Sequence, residues 1–230
     1  MVSPWSGVSF YGNYTEGLSR GEIAPAAAAN AGQALEPYVA KQYEAGVKLD
    51  RGALGATLDV FQITKPFGEL NGAGVYRAGG EQRNRGLEVM VFGELGQRLR
   101  LMTGMMVMDA ELTRARDPSV KGNKPVGVPD FQANATAEWD PAAVPNLTLL
   151  VSANHTGEQY LSNSNQQQLP SWTTWDLGAR YQSRLAGTPV TWRLTVQNVG
   201  DKAYWASVNS WSMLTVGAPR TAVLSVTADF

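Results

Sequence analysis

The chain has 230 residues, with 19 basic and 20 acidic side chains, a net charge of −1 and no cysteine. The balanced charge gives no field that would draw it to nucleic acid, and the missing cysteines exclude a disulfide scaffold, a thiolate metal site and a cysteine nucleophile. No apolar run approaches the roughly 18 to 20 residues a membrane-spanning helix needs, the longest being LMTGMMVM at 101–108, and the opening MVSPWSGVSF lacks the pattern of a secretory signal.

Frequent glycine and proline, with many Thr, Val, Trp and Tyr residues, favours strands separated by turns. In chain order the first strand is expected at about 6–16, followed by a long polar loop at 17–40 in which the alanines near 27–30 could form a short helical turn. Strands at 41–49 and 54–65 flank a short turn at Asp50 to Gly52; a loop at 66–81 leads to strands at 82–93 and 98–112. The last of these has a blurred pattern because methionines stand at 102, 105, 106 and 108, yet its neighbours require a hairpin partner there. After a loop at 113–129 the alternation becomes strict.

Over 131–139, Phe131, Ala133, Ala135, Ala137 and Trp139 oppose Gln132, Asn134, Thr136 and Glu138, and a weaker strand follows at 147–156. Over 173–181, Trp175, Leu177, Ala179 and Tyr181 oppose Thr174, Asp176, Gly178 and Arg180, with Thr173 out of pattern. Over 190–197, Val190, Trp192, Leu194 and Val196 oppose Thr191, Arg193, Thr195 and Gln197. The segment 222–230 sets Ala222, Leu224, Val226, Ala228 and Phe230 against Val223, Ser225, Thr227 and Asp229, with Val223 out of pattern.

Roughly ten strands result, and their connections alternate between short turns and long loops, the long ones at 17–40, 66–81, 113–129, 157–170 and 201–218. In an antiparallel up-and-down meander every second connection lies on one side, so the long loops share an edge. That asymmetry describes a transmembrane β-barrel of the outer membrane. Aromatics at the short-turn ends, Trp139, Tyr181, Trp192 and Phe230, would be membrane-interface anchors, and Glu138, Arg180, Arg193 and Asp229 would face a wet lumen. A soluble β-sandwich binding module is the commoner source of alternating strands, but its loop lengths are usually irregular.

Several strings resemble the C-terminal part of a TonB-dependent siderophore receptor: YGNYTEGLSRGE at 11–22, YVAKQYEAGVK at 38–48, VFQITK at 60–65, NRGLEV at 84–89, VPDFQAN at 128–134, SWTTWDLGARY at 171–181, VQNVGDKAYW at 196–205 and GAPRTAVLSVTADF at 217–230. Their order and spacing carry the resemblance. The chain departs from the family's pattern at Val199 and Gly200, where Leu-Phe is usual. The resemblance implies an all-β fold in which residues 1–230 hold about the last ten strands of a 22-stranded barrel. It further implies that the N-terminal plug, the segment that contacts TonB and the first strands lie outside the chain, leaving an open sheet unless the ten strands close on themselves. The implied function is uptake of a ferric siderophore at the outer membrane, with iron present only in the chelate. The implied partners are the siderophore, TonB, outer-membrane lipid and the barrel assembly machinery, which would read the last strand. Isolated, these residues are not expected to transport.

Ligand contacts are expected from loop aromatics and a cation: Trp205 and Trp211 first, then Tyr204, Tyr160, Tyr76 and Arg77, with Arg114 as a further cation that could attract an anionic chelate. Each of these could equally serve loop packing, the interface belt or ordinary solvation. His155, the single histidine, has the strand phase of Leu149, Val151 and Ala153 on the apolar face, so neither a metal nor a catalytic role is assigned. That phase also disfavours a ten-stranded outer-membrane enzyme of the omptin type, which needs a histidine facing acids such as Asp59, Asp109 or Asp176 inside the barrel. The Asn-x-Thr sites at Asn13, Asn134, Asn146 and Asn154 fall in or beside strands and read as chance.

Overall fold

The computed structural model describes residues 1–209 and 213–229. Fifteen strands run in order: β1 (Val2–Trp5), β2 (Val8–Ser19), β3 (Tyr38–Asp50), β4 (Leu54–Leu70), β5 (Tyr76–Leu95), β6 (Leu99–Arg114), β7 (Phe131–Trp139), β8 (Leu147–Thr156), β9 (Gln159–Tyr160), β10 (Gln168–Leu169), β11 (Trp172–Leu185), β12 (Thr188–Gln197), β13 (Trp205–Val208), β14 (Leu214–Val216) and β15 (Thr221–Ala228). Eleven of them form one antiparallel sheet in the order β1-β2-β3-β4-β5-β6-β7-β8-β11-β12-β15, while β9/β10 and β13/β14 are small hairpins within the loops. Between described residues β1 and β15 do not pair, so the sheet has two free edges and the ten-strand closure does not occur. With eleven strands in one sheet and only two-stranded hairpins beside it among the described residues, the fold is not a sandwich.

The alternating residues fall on two faces as their period demands. Pairings Leu101↔Ala137, Ala137↔Val151, Val151↔Leu177 and Leu177↔Val196 put one apolar row across five strands. Glu138, Leu150, Gly178 and Thr195 occupy the matching row on the opposite, largely polar face. Few large apolar residues of the first face are buried, and Leu177, Trp175, Leu194 and Val151 remain open. The sheet therefore has no core of its own on that side.

Turn chemistry fixes the hairpins at one end. Ala186 and Gly187 both have positive φ, 50° and 90°, as a two-residue turn that matches strand twist requires. At Gly52, φ is 71° and its N–H donates to Asp50 Oδ1 at 2.9 Å. The long connections all emerge at the other end.

The expected strand at 98–112 is present as Leu99–Arg114, and two other expectations change. The alanines near 27–30 form hydrogen-bonded turns, Ala28 N to Pro25 O and Ala31 N to Ala28 O, rather than a helical segment. The expected loop at 66–81 is mostly paired strand, from Pro66↔Glu81 to Leu70↔Tyr76, with a register shift at Phe67/Gly68 and a tight turn between. The ribbon there carries the Tyr76 and Phe67 rings over Gly68 and Gly80; the glycines and the proline conceal it in the sequence.

Candidate functional site

At the long-loop end a cavity of about 870 Å³ opens over the polar face, walled by β4 through Lys65 and Phe67, by β5 and β6 through Gln82 and Leu112, by Val126 and Val128, and by Val208 of β13. Its wall at 20–36 is clamped by Glu22. That carboxylate accepts hydrogen bonds from the Tyr76 hydroxyl, from Gly68 N at 2.9 Å and from Tyr38 Oη at 3.4 Å. Burial, then the bond to Glu22, raises the Tyr76 phenol well above the ordinary range, and burial with the nearby Glu22 charge pushes Tyr38 up to about 12, so both remain donors.

The other acids at the cavity are similarly engaged. Glu69 accepts from Arg116 N at 2.8 Å, and Asp117 accepts from Ser119 N and Oγ at 2.9 and 2.7 Å, capping a turn of 3-10 helix at Pro118–Val120. Arg116 Nη1 donates to Leu70 O at 3.0 Å. Arg20 and Lys65, by contrast, line the cavity with no ion pair among the described residues. The site thus presents uncommitted cations beside committed acids.

The sequence candidates divide. Tyr76 lines the cavity but is buried, its ring packed with Ala24 and Ala28. Tyr204 stacks on Trp172 with ring centroids 4.4 Å apart, and it covers Gly217 so closely that a Cβ there would meet its ring at 2.2 Å. Trp205 is exposed on β13, opposite Val216, and alternates with the inward Ala206 and Val208, so it points away from the cavity. Tyr160 contributes its carbonyl, which accepts from Gly127 N at 3.1 Å behind the Val126–Val128 wall. Arg77 is exposed outside the lining, and Arg114 is spent on Glu81 and Gly79 O. Trp211 and Phe230 lie outside the described residues.

His155 sits on the apolar face, where Nδ1 bonds Thr173 Oγ1 at 2.8 Å and its ring lies 5.5 Å from Phe131. Thr173, out of pattern in the sequence, is there to meet it. Among the described residues no group of three His, Asp or Glu side chains could hold a metal ion.

Sequence reading missed the clasps. Asn198 is buried with φ 48°; its amide donates to Lys202 O and Ala218 O, both 2.9 Å, and Asp176 takes its N–H at 2.8 Å. It also missed a network on the polar face at the short-turn rim. Arg100 grips Asp140 through two nitrogens at 2.6 and 2.9 Å and Glu138 at 3.2 Å, Thr148 Oγ1 donates to Asp140 at 2.7 Å, and Arg180 reaches Glu138 at 3.4 Å.

Arg100, then Thr148, holds the Asp140 carboxyl below the usual carboxylate range. A depressed folded-state pKa stabilises above the unfolded value, about 3.9 for Asp, and that stabilisation fades as pH falls through and below it. Comparing wild type with Asp140→Asn by chemical unfolding, the stability gap should stay level from about pH 8 to 5 and shrink below about pH 4. A gap no smaller at about pH 3 than at about pH 7 would reject this account.

Comparison with known proteins follows the same geometry. Residues 2–199 match the family model described as "TonB dependent receptor-like, beta-barrel". The ferrichrome receptor FcuA of Yersinia enterocolitica is 40% identical over 237 residues, covering 100% of this chain and 31% of its own length. The ferrioxamine B receptor of Salmonella typhimurium is 30% identical over 206 residues, covering 86% of this chain and 29% of its own. The crystal structure of BauA, the ferric preacinetobactin receptor of Acinetobacter baumannii, superposes with a TM-score of 0.84 at 39% identity, covering 100% of this chain and 35% of that one. The chain thus spans about a third of the length of these relatives.

Proposed function

Because the chain belongs to the TonB-dependent receptor-like β-barrel family, we propose that it supplies the C-terminal wall and outer loops of an outer-membrane receptor that takes up a ferric siderophore. The apolar face turns to lipid. Its borders support this: Trp139, Tyr181 and Trp192 stand near the short turns, and Trp192 Nε1 donates to Ser183 Oγ at 3.1 Å. Towards the loops the apolar band ends at Tyr14 and Tyr43, whose rings lie 4.9 Å apart, and then at the pairs Lys41–Glu16, Arg83–Glu111 and Arg85–Asp109. Strand β7, nine residues long, crosses the band once, about the length a tilted strand needs.

The observation that carries the ligand reading is the cavity with Arg20 and Lys65 uncommitted. A chelate bearing carboxylate or phenolate oxygens would find these cations at the mouth while Phe67, Leu112 and Val208 offer apolar wall. Plug, TonB-contacting segment and remaining strands belong to the rest of the receptor. Iron enters only as the chelate, and the named relatives are receptors, which sets transport ahead of catalysis.

In a receptor-null strain, the full-length receptor should restore growth on a ferric siderophore and residues 1–230 alone should not. Within that receptor, the double variant Arg20→Glu, Lys65→Glu should weaken uptake of an anionic chelate about tenfold through affinity, with wild-type amounts in the membrane. Unchanged affinity would remove the cavity from the reading; uptake by the isolated chain would remove the reading itself.

A further inference from the structure

A second depression lies on the outward, apolar face, towards the long loops. It is a shallow groove of about 590 Å³ whose lining includes Gly12, Tyr14, Tyr43, Ala45, Val60 and Gln62. Its floor is the row Gly12↔Ala45↔Val60, and its upper lip is the row Tyr14↔Tyr43↔Gln62. Both rows share the phase of Leu87 and Val107, on the side that carries the apolar band. The backbone has no need of glycine at Gly12: its φ is not in the left-handed region, and an added Cβ would meet nothing closer than Glu44 O at 3.5 Å. What the missing side chain provides is room, with Tyr43, 56% exposed, and Val60, 53% exposed, standing beside it.

Directly above the lip the outward face turns charged, and the charges are sorted by strand. Gln62 and Thr64 on β4 lie at the centre; Lys41 stands on β3, and Arg83 and Arg85 on β5, while the acids Glu16, Asp109 and Glu111 are kept to β2 and β6 on the flanks. Lys41 and Arg83 share a row two strands apart, roughly 10 Å, a span that two long side chains can close upon one anion. The acids hold two of these cations loosely. Lys41 Nζ is 3.9 Å from Glu16 and Arg85 Nη2 is 3.6 Å from Asp109, both beyond hydrogen-bond distance, and Glu16 accepts from the Tyr14 hydroxyl instead. Arg83 gives Nη2 to Glu111 and leaves its buried Nε without a partner. No side-chain hydrogen bond among the described residues engages Gln62 or Thr64.

A groove open to hydrocarbon, with cations and neutral donors gathered at its polar end, matches a molecule that joins an acyl chain to an anionic headgroup. We propose that this face binds a phosphate-bearing lipid, its chain in the Gly12–Ala45 groove and its phosphate between Lys41, Thr64 and Arg83, with Arg85 alongside. The inference rests on the reading that the apolar face meets lipid. Strand length sets the height of the cradle: β4 and β5 have 17 and 20 residues, where about 9 to 11 cross a bilayer, so their loop-side halves stand at the headgroups and beyond. Near an anionic lipid surface each lysine or arginine strengthens attachment about fivefold.

The test uses the full-length receptor in detergent, with bound lipid counted by native mass spectrometry. Phosphatidic acid should occupy one site about twentyfold more tightly than phosphatidylcholine of the same chains, whose phosphate is masked by a choline cation. Inorganic phosphate, which has no chain for the groove, should fail to displace it at about a hundredfold excess. Lys41→Gln with Arg85→Gln should remove most of the preference; both cations are loosely paired, so the sheet should be undisturbed. Gly12→Leu fills the groove without touching charge and should weaken phosphatidic acid about tenfold. Arg51→Gln, exposed at the short-turn end of the sheet, should change neither. Equal retention of the two lipids, or a preference untouched by these groove and cradle variants, would overturn the proposal, and so would displacement by inorganic phosphate. A receptor that keeps the preference but takes up no chelate would retain the lipid site and reject the transport reading; one that takes up chelate without the preference would do the reverse.

Discussion

Tyr76→Ala is expected to detach the 20–36 loop from the head of β4 and β5 while leaving the sheet intact. The residue is buried where that loop crosses the hairpin, packed with Ala24 and Ala28 from the loop and with Leu35 and Leu70. Its ring covers Gly68, where a Cβ would fall 2.4 Å away, and its hydroxyl is a donor to Glu22. Asn30 brackets its backbone, donating to Tyr76 O at 2.9 Å and accepting from Tyr76 N at 2.8 Å. Truncating a buried aromatic costs roughly 3 to 5 kcal/mol, here charged to one local clamp. Hydrogen exchange across 22–35 should therefore accelerate by about two orders of magnitude or more, with β2–β3 amides unchanged. Tyr76→Phe keeps the packing and loses the bond to a carboxylate, so it should cost about 1.5 to 3 kcal/mol. Undisturbed exchange in Tyr76→Ala would mean that the loop is held elsewhere.

Leu177→Arg is expected to impair insertion rather than the loops. Leu177 lies in the middle of the apolar face, between Val151 on β8 and Val196 on β12, and is 48% exposed without a covering side chain. If that face meets lipid, an arginine near the bilayer midplane costs roughly 2 to 4 kcal/mol. Urea unfolding of receptor in lipid vesicles should register that loss. Gln197→Arg, exposed on the polar face, should stay within about 0.5 kcal/mol of wild type. Equal effects from the two substitutions would contradict the assignment of faces.

The parts of the fold that were legible are those where one face is apolar. The segments at 131–139 and 147–156 match β7 and β8 residue for residue, because a strand with one apolar face holds a single phase against its neighbours. Above the apolar band that constraint lapses. KPFGEL and YRAGGEQ pair with rings laid over glycines, Tyr76 on Gly68 and Phe67 on Gly80, and not with alternating apolar side chains, so no period distinguishes ribbon from loop. β1, four residues and exposed throughout, is hidden for the same reason.

The site was less legible than the fold. Loop aromatics suggested ligand contacts, but a ring that packs on glycine looks the same in sequence as one that greets a ligand; Tyr204 on Gly217 and Tyr76 on Gly68 are of the first kind. Glu22, Asn30 and Asn198 each hold backbone or rings far along the chain, and single polar residues at bends carry no periodic signal. Arg20 and Lys65 became interesting only once their acidic neighbours were seen to be occupied.

The linear strand order has a kinetic meaning. Each strand inside the large sheet bonds to the sheet strands before and after it in the chain, the small hairpins β9/β10 and β13/β14 being skipped between β8 and β11 and between β12 and β15. Contacts that close in sequence are inexpensive in chain entropy and form quickly, so the sheet can grow hairpin by hairpin like a zip. A ring built this way has one costly join, the seam between its first and last strands, where loop closure spans the whole wall. In a larger barrel ending on β15 that seam would be at β15, whose eight residues are all exposed here. The rate-limiting event of assembly would then be the capture of this edge, after the other pairings are in place.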